Sequence, residues 1–368
     1  MMFGTSVLLM VAALTRLSAA SLEKVWQIDL NGVTKERGFY RDQPILAIRF
    51  SPSGRSIAIV SGWIRSSNPP AVKSRLLILS AERPAIGVRE FEINAGAEDH
   101  ESGGQTAANL QWSPAEDAID AAGDIVHLTG AETCQISYHG GFISSDKLVA
   151  RALESGSLSH LVFFDPECRA AETWNVAESW EIEDVSAQRG LLAIWADGEP
   201  LVVDALLKKV VQRWPKGTMP SAFIRFADNG SAICGGDSPQ KFGKAPFRCW
   251  DVASGKQIAE APSLSGGLPF ATSERVSRLI ASNQAHIAHP FSHFGPDSYG
   301  EALLARVIWD FKNGKELLSW DPPLQTYRMR LINSPKLTQD HFKFAISPDG
   351  GFVVEGGNGI VRLYRIQQ

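Results

Sequence analysis

A single hairpin recurs along this chain, and the repetition narrows the choice of fold more than any other feature. It is clearest at 46–62, LAIRFSPSGRSIAIVSG, and returns at 342–356, FKFAISPDGGFVVEG. A weaker copy lies at 222–236, AFIRFADNGSAICGG. Each copy is a short apolar run, a turn of Ser-Pro, Asp-Gly or Asn-Gly character, and a second run rich in small residues. Such turns permit the tight reversals that join antiparallel strands. A different hairpin follows at 247–261, FRCWDVASGKQIAEA, and at 305–320, ARVIWDFKNGKELLSW. There Trp-Asp ends the third run and a Gly-Lys turn leads into a more polar fourth. Runs of this length, rich in Val, Ile, Phe and Trp and bounded by turn formers, read as strands, and helical periodicity is scarce.

Laid along the chain, the four-strand unit occurs seven times, at about 45–93, 108–137, 141–176, 182–214, 221–261, 268–320 and 341–366. In the fourth copy the strands fall near 182–187, 190–195, 200–204 and 209–214. A length of 368 residues alone suggests two domains. Seven units of about 50 residues, the size of a propeller blade, use that length instead. The last unit is incomplete, since only four residues follow Ile360–Tyr364. Near the other end Lys24–Leu30, KVWQIDL, is a strand without a partner in the first unit. Pairing the two closes a ring and removes an open sheet edge. The expected fold is therefore an all-β, seven-bladed β-propeller of four-stranded antiparallel blades, closed by the N-terminal strand on the last blade.

The units resemble WD40 repeats. The residues that carry the likeness are Phe50-Ser51-Pro52-Ser53-Gly54, Trp250-Asp251, Trp309-Asp310 and Ser347-Pro348-Asp349-Gly350. Over about 24–366 the chain is similar to the divergent WD40-like propellers of secreted proteins. No Gly-His dipeptide opens a unit, and the third strand elsewhere ends in Phe164-Asp165 or Val203-Asp204. The resemblance implies a scaffold for protein association rather than a reaction.

Residues 1–20 read as a secretory signal, with an apolar run from Val7 to Leu14 and small residues at Ser18 and Ala20 before Ser21. The chain thus divides into a signal peptide, 1–20, and a propeller domain, 21–368, expected in a secreted or periplasmic setting. No later stretch has the length and hydropathy of a membrane span. Four cysteines fit an oxidising compartment, and their spacing is not that of a zinc ribbon or a thioredoxin motif. Cys234 and Cys249 fall on adjacent strands of the fifth unit, at a separation suited to a disulfide. Cys134 falls at the start of the outer strand of the second unit, and Cys168 in the last turn of the third, which allows a second bridge. Buried free thiols are the alternative for both pairs. The net charge of −4 excludes a general basic footprint for nucleic acid.

In a blade with strands a to d, the b–c loops and the d–a connections emerge at one end of the ring, and the a–b and c–d turns at the other. The long segments here are nearly all of the first kind: 62–74, 236–246 and 282–303 within units, and 31–44, 94–107 and 321–341 between them. Loops carry function more often than the strands that hold them. The expected binding surface therefore lies at that end, over units five, six, seven and one. Trp63, Phe242, Phe291, Phe294, Tyr299 and Tyr327 are its aromatic candidates. Trp112, Trp195, Trp250 and Trp309 fall in strands and are expected to pack between blades. His286, His289 and His293, with Asp297 nearby, have imidazole spacing that suits zinc or copper, but the Pro-rich, irregular context favours a solvated loop over a metal site. Glu98, Asp99, His100 and Glu101 are hard ligands for calcium, but their spacing departs from a calcium loop. Nucleophile, metalloprotease, P-loop and dinucleotide motifs are absent. The sequence thus points to a monomeric, non-catalytic scaffold with no cofactor and no nucleic-acid or membrane partner, which binds an unidentified protein. The alternative is a propeller enzyme with a site at the channel mouth, metal-assisted by the 282–297 loop.

Overall fold

The computed structural model describes residues 20–34, 45–61, 74–93, 110–121, 123–130, 133–136, 140–153, 159–175, 180–196, 198–219, 222–236, 246–262, 264, 270–282, 306–320, 343–357 and 359–367. Their strands form seven antiparallel sheets of four. In chain order, strands a to d of blade 1 are Ile45–Phe50, Ser56–Ser61, Ser74–Ser80 and Arg89–Ile93. Blade 2 has Leu110–Trp112, Ala118–Ala121, Asp124–His127 and Thr133–Gln135, and blade 3 has Gly140–Phe142, Leu148–Leu153, Ser159–Phe164 and Ala170–Trp174. Blade 4 is Trp180–Ser186, Leu191–Ala196, Glu199–Asp204 and Lys209–Arg213. Blade 5 is Ala222–Ala227, Ala232–Gly236, Phe247–Asp251 and Gln257–Ala261. Blade 6 is Ala271–Thr272, Arg278–Ser282, Arg306–Asp310 and Lys315–Trp320. Blade 7 takes a to c from Lys343–Ile346, Phe352–Gly357 and Ile360–Gln367, and its strand d from the N-terminal Ser21–Asp29.

That last pairing runs from Ser21↔Gln367 to Asp29↔Ile360, with a bulge between Lys24 and Trp26. The unpaired strand at one end of the chain thus supplies what the other end lacks. Trp26 anchors it sideways, donating its indole N–H to the Ala81 carbonyl of blade 1 at 2.7 Å. Strand a of each blade lies beside strand a of the next, around a complete circle. A four-residue helical turn, Leu30–Val33, follows the closing strand, capped by the Asp29 carboxylate on the Asn31 N–H.

The core is divided among the seams between blades. Seven buried clusters occupy the seven seams. Blade 1 shows how one strand serves two seams. Side chains alternate across a sheet, so Ile57 and Ile59 face blade 7 while Ala58 and Val60 face blade 2. Leu77 and Leu79 join the first set, Leu76 and Ile78 the second. A strand covered on both faces has no polar side, so SIAIVS and SRLLILS read as near-continuous apolar runs rather than alternating ones. The tryptophans behave accordingly: Trp112, Trp250 and Trp309 are buried in seams, while Trp195 is half-buried.

The turn residues have identifiable tasks. At the a–b turns of blades 1, 2 and 7, Ser51, Ser113 and Ser347 each accept a backbone N–H from five residues on. Each turn then needs a left-handed residue at its fourth position. Gly54 and Gly350 supply it at φ 76° and 68°, whereas blade 2 uses Glu116 at 61°. The aspartates that end strand c bind the following turn: Asp204 takes the Leu207 N–H at 2.8 Å, and Asp251 the Ser254 N–H at 2.7 Å. Asp165 does the same for Arg169, with the guanidinium returning to it at 2.6 Å, and these bonds lower its pKa.

Candidate functional site

At the end of the a–b and c–d turns, neighbouring blades are tied to each other. Glu116 of blade 2 accepts from the backbone N–H of Ser53 and, at 2.9 Å, from its hydroxyl. Arg189 of blade 4 reaches the Gly230 carbonyl of blade 5. Lys312 of blade 6 bridges to Asp228 of blade 5 at 2.6 Å. Ser273 of blade 6 donates to the Pro348 carbonyl of blade 7 at 2.7 Å, and Arg278 donates to Gly350 at 2.8 Å.

The channel itself is spanned at this end. Glu274, in the a–b turn of blade 6, pairs through Oε1 with Arg49 of blade 1 at 3.3 Å. Its other oxygen accepts from Gln188 of blade 4 at 3.4 Å. One side chain thus joins blades that are not neighbours. Deeper in, Gln111 on strand a of blade 2 accepts the Phe142 N–H at 2.8 Å and donates to the Phe142 carbonyl at 3.2 Å. Gly141 makes room for it, since a Cβ there would lie 2.1 Å from Gln111 Oε1. Glu183, at a bulge in strand a of blade 4, has its pKa raised by burial and partly offset by Arg225.

At the opposite end the strands release every long connection: 35–44, 62–73, 94–109, 237–245, 283–305 and 321–342. Trp63, Phe242, Phe291, Phe294, Tyr299 and Tyr327 lie outside the described residues, as do His286, His289, His293, Asp297 and the acidic stretch 98–101. Among the described residues no group of three or more His, Cys, Asp or Glu is placed to hold a metal. Just beneath this rim are buried polar groups that no local pattern announced. Asp120 of blade 2 is 1% exposed, and its Oδ1 takes the Gly123 N–H at 2.8 Å while Oδ2 has no partner. Burial pushes its pKa from 3.8 to about 8, with the neighbouring Asp124 adding to the rise. Glu355 of blade 7 is equally buried, and desolvation raises its pKa against the pull of Arg306 and Arg362.

All four cysteines are paired. Cys234 and Cys249 are register partners on strands b and c of blade 5, with Cα atoms 4.1 Å apart, and both are fully buried. Cys134 and Cys168, at 5.9 Å, join the outer strand of blade 2 to the c–d turn of blade 3. His127 adds a contact to the same turn through the Pro166 carbonyl at 2.9 Å.

Comparison with known proteins places the fold. No family model matches the chain, and no curated protein does. Among solved structures it is similar to the Myceliophteria thermophila Cps50 (Swd1) beta-propeller domain. That match has a TM-score of 0.57 and 12% identity over 94% of this chain and all of that one. It is also similar to a chain of the Mitotic Checkpoint Complex, with a TM-score of 0.54 and 13% identity over 94% of this chain and 96% of that one. At these identities the likeness is one of fold: a seven-bladed, WD40-like propeller.

Proposed function

We propose that the protein is a secreted or periplasmic, non-catalytic scaffold that binds a protein partner at the long-connection end of the ring. The observation that carries this reading is the placement of the long connections at one end of the ring. One end spends its polar groups on its own blades and spans its channel with Glu274. The other releases all six long connections, mostly around blades 5, 6, 7 and 1. A surface whose donors and acceptors already satisfy each other offers little to a partner, whereas long connections on a fixed ring can present a new one. Two disulfides support an oxidising compartment. Among the described residues no helix is long and apolar enough to cross a membrane. Residues 1–20 serve as the export signal, and the mature propeller is a divergent member of the WD40-like group, acting as a monomer.

Site-specific photocrosslinking tests the reading. A crosslinker at position 63, 294 or 327 is expected to capture a partner from the extracytoplasmic fraction. The same group at Leu207 or Asn313, exposed in c–d turns, is expected to capture none. Capture from the c–d turns alone overturns the proposal.

A further inference from the structure

The two disulfides differ in what they join and in how far they are sealed. Cys234–Cys249 links adjacent strands inside blade 5, and both residues are 0% exposed. Cys134–Cys168 links blade 2 to blade 3. Both of its cysteines are only partly buried, packed against the seam cluster of Ile125, Ile136, Phe142 and Leu148. Cys168 sits in its turn between exposed Glu167 and Arg169. Its φ is 61°, in the left-handed region. The c–d turns of blades 5 and 6 use Gly255 and Gly314 for that conformation, at 69° and 61°. Blade 4 uses Lys208, whose Nζ reaches Glu172 of blade 3. Where a residue with a Cβ accepts this costly conformation, its side chain ties the turn to a neighbouring blade.

The strand that this bond holds has little else to hold it. Among the described residues, strands b, c and d of blade 2 have four, four and three residues, the shortest of their kind in the ring. Strand d pairs with strand c at Asp124↔Gln135, Ile125↔Cys134 and Val126↔Thr133, and it is the last strand of its sheet. Thr133 and Gln135 are exposed, so Cys134 is the member of the strand that turns inward. Strand c has its own anchors. Ile125 is fully buried in the seam, and His127 Nε2 lies 2.9 Å from the Pro166 carbonyl of blade 3. Without the bond to Cys168, strand c therefore stays in place, whereas strand d keeps only a short ladder. Short, solvent-facing ladders are where native proteins open locally.

We propose that Cys134–Cys168 is a redox clasp: a dithiol reduces it in the folded protein, releasing the outer strand of blade 2 and baring the edge of Asp124–His127, while Cys234–Cys249 stays oxidised. A thiolate of the dithiol attacks Cys168 Sγ in its exposed turn, a mixed disulfide forms and Cys134 leaves as a thiolate. The second thiol of the dithiol then displaces Cys168. The dithiol ends as its own disulfide, and its two electrons and two protons leave Cys134 and Cys168 as thiols. The bared edge is one that another strand can pair with, and the clasp does not depend on which end of the ring binds a partner. The test treats the folded full chain with dithiothreitol, alkylates it at intervals with iodoacetamide and maps the label by peptide mass. Cys134 and Cys168 are expected to label roughly tenfold or more faster than Cys234 and Cys249. Hydrogen exchange on the same samples is expected to quicken severalfold at 124–128 and 133–136 and to stay unchanged at 247–261. The C134S/C168S variant is expected to show the quicker exchange without dithiothreitol; if it does not fold, the reduced wild type decides alone. Equal labelling of the two pairs, or no labelling of Cys134 and Cys168 short of global unfolding, overturns the clasp. Labelling that leaves exchange at 124–128 and 133–136 unchanged also overturns it, because the bond is then a crosslink that holds nothing back.

Discussion

Replacing Asp120 with Asn is expected to make the protein more stable, and increasingly so as the pH rises. The Asp120 carboxyl is 1% exposed, and its pKa is raised from 3.8 to about 8. The folded state therefore keeps a proton that the unfolded state has released. Between those two values folding takes up a proton, so stability falls as pH rises through the window and levels off above about 8. At about 1.36 kcal/mol per unit, the cost is about 2 kcal/mol near pH 5 and about 4 kcal/mol near pH 7. Asn carries no such cost. Its Oδ1 can still accept the Gly123 N–H now held at 2.8 Å. Its Nδ2 would sit where Oδ2 has no partner, a position in which the protonated acid is equally unsatisfied, so that penalty cancels. Urea unfolding of D120N and wild type at about pH 5, 7 and 9 reads the difference directly. The expected advantage of D120N grows by about 3 kcal/mol from pH 5 to pH 7 and by about half as much again from pH 7 to pH 9, levelling off above about pH 8. An advantage independent of pH, or a D120N protein less stable than wild type near pH 7, refutes the reasoning.

Other consequences are as specific. G141A places a methyl against Gln111 Oε1 and is expected to cost about 3 kcal/mol; adding Q111A should recover part of that in a double-mutant cycle, and strict additivity would contradict the contact. Replacing Cys234 and Cys249 together with serine opens a loop of sequence separation 15 and should lower stability by about 3 kcal/mol in denaturant titration, an unchanged midpoint being the contrary result. Starting the mature chain at Leu30 removes the strand that covers Ile360–Gln367 and is expected to abolish the soluble monomer in size-exclusion chromatography. A monomer melting within a few degrees of the full chain would show that the ring does not need that strand.

The sequence reveals blades well because each strand is an unbroken local run. Ile57, Ala58, Ile59 and Val60 are all apolar since two seams claim alternate members. Ring closure is legible for the same reason, as 24–30 is a strand by its own composition. The observed strand begins earlier, at Ser21, and yields to a helical turn at Leu30. Blade 2 is harder to read. Its Ser113-Pro114 turn lacks the expected glycine, because Glu116 takes the left-handed position and spends its carboxylate on Ser53. The groups at the two ends carry no local signature at all. Glu274 matters through Arg49 and Gln188, which lie 225 and 86 residues away. Glu355, Arg362 and Gln27 form a row only once the register across the closing strand is known.

Hydrogen exchange of the free and the partner-bound protein tests the central claim most directly. If the long-connection end is the binding face, partner binding slows exchange in 62–73, 283–305 and 321–342. The a–b turns at 51–55, 113–117 and 347–351 stay unchanged. Protection that appears in those turns and is missing from the long connections would place the partner on the other end and contradict the account.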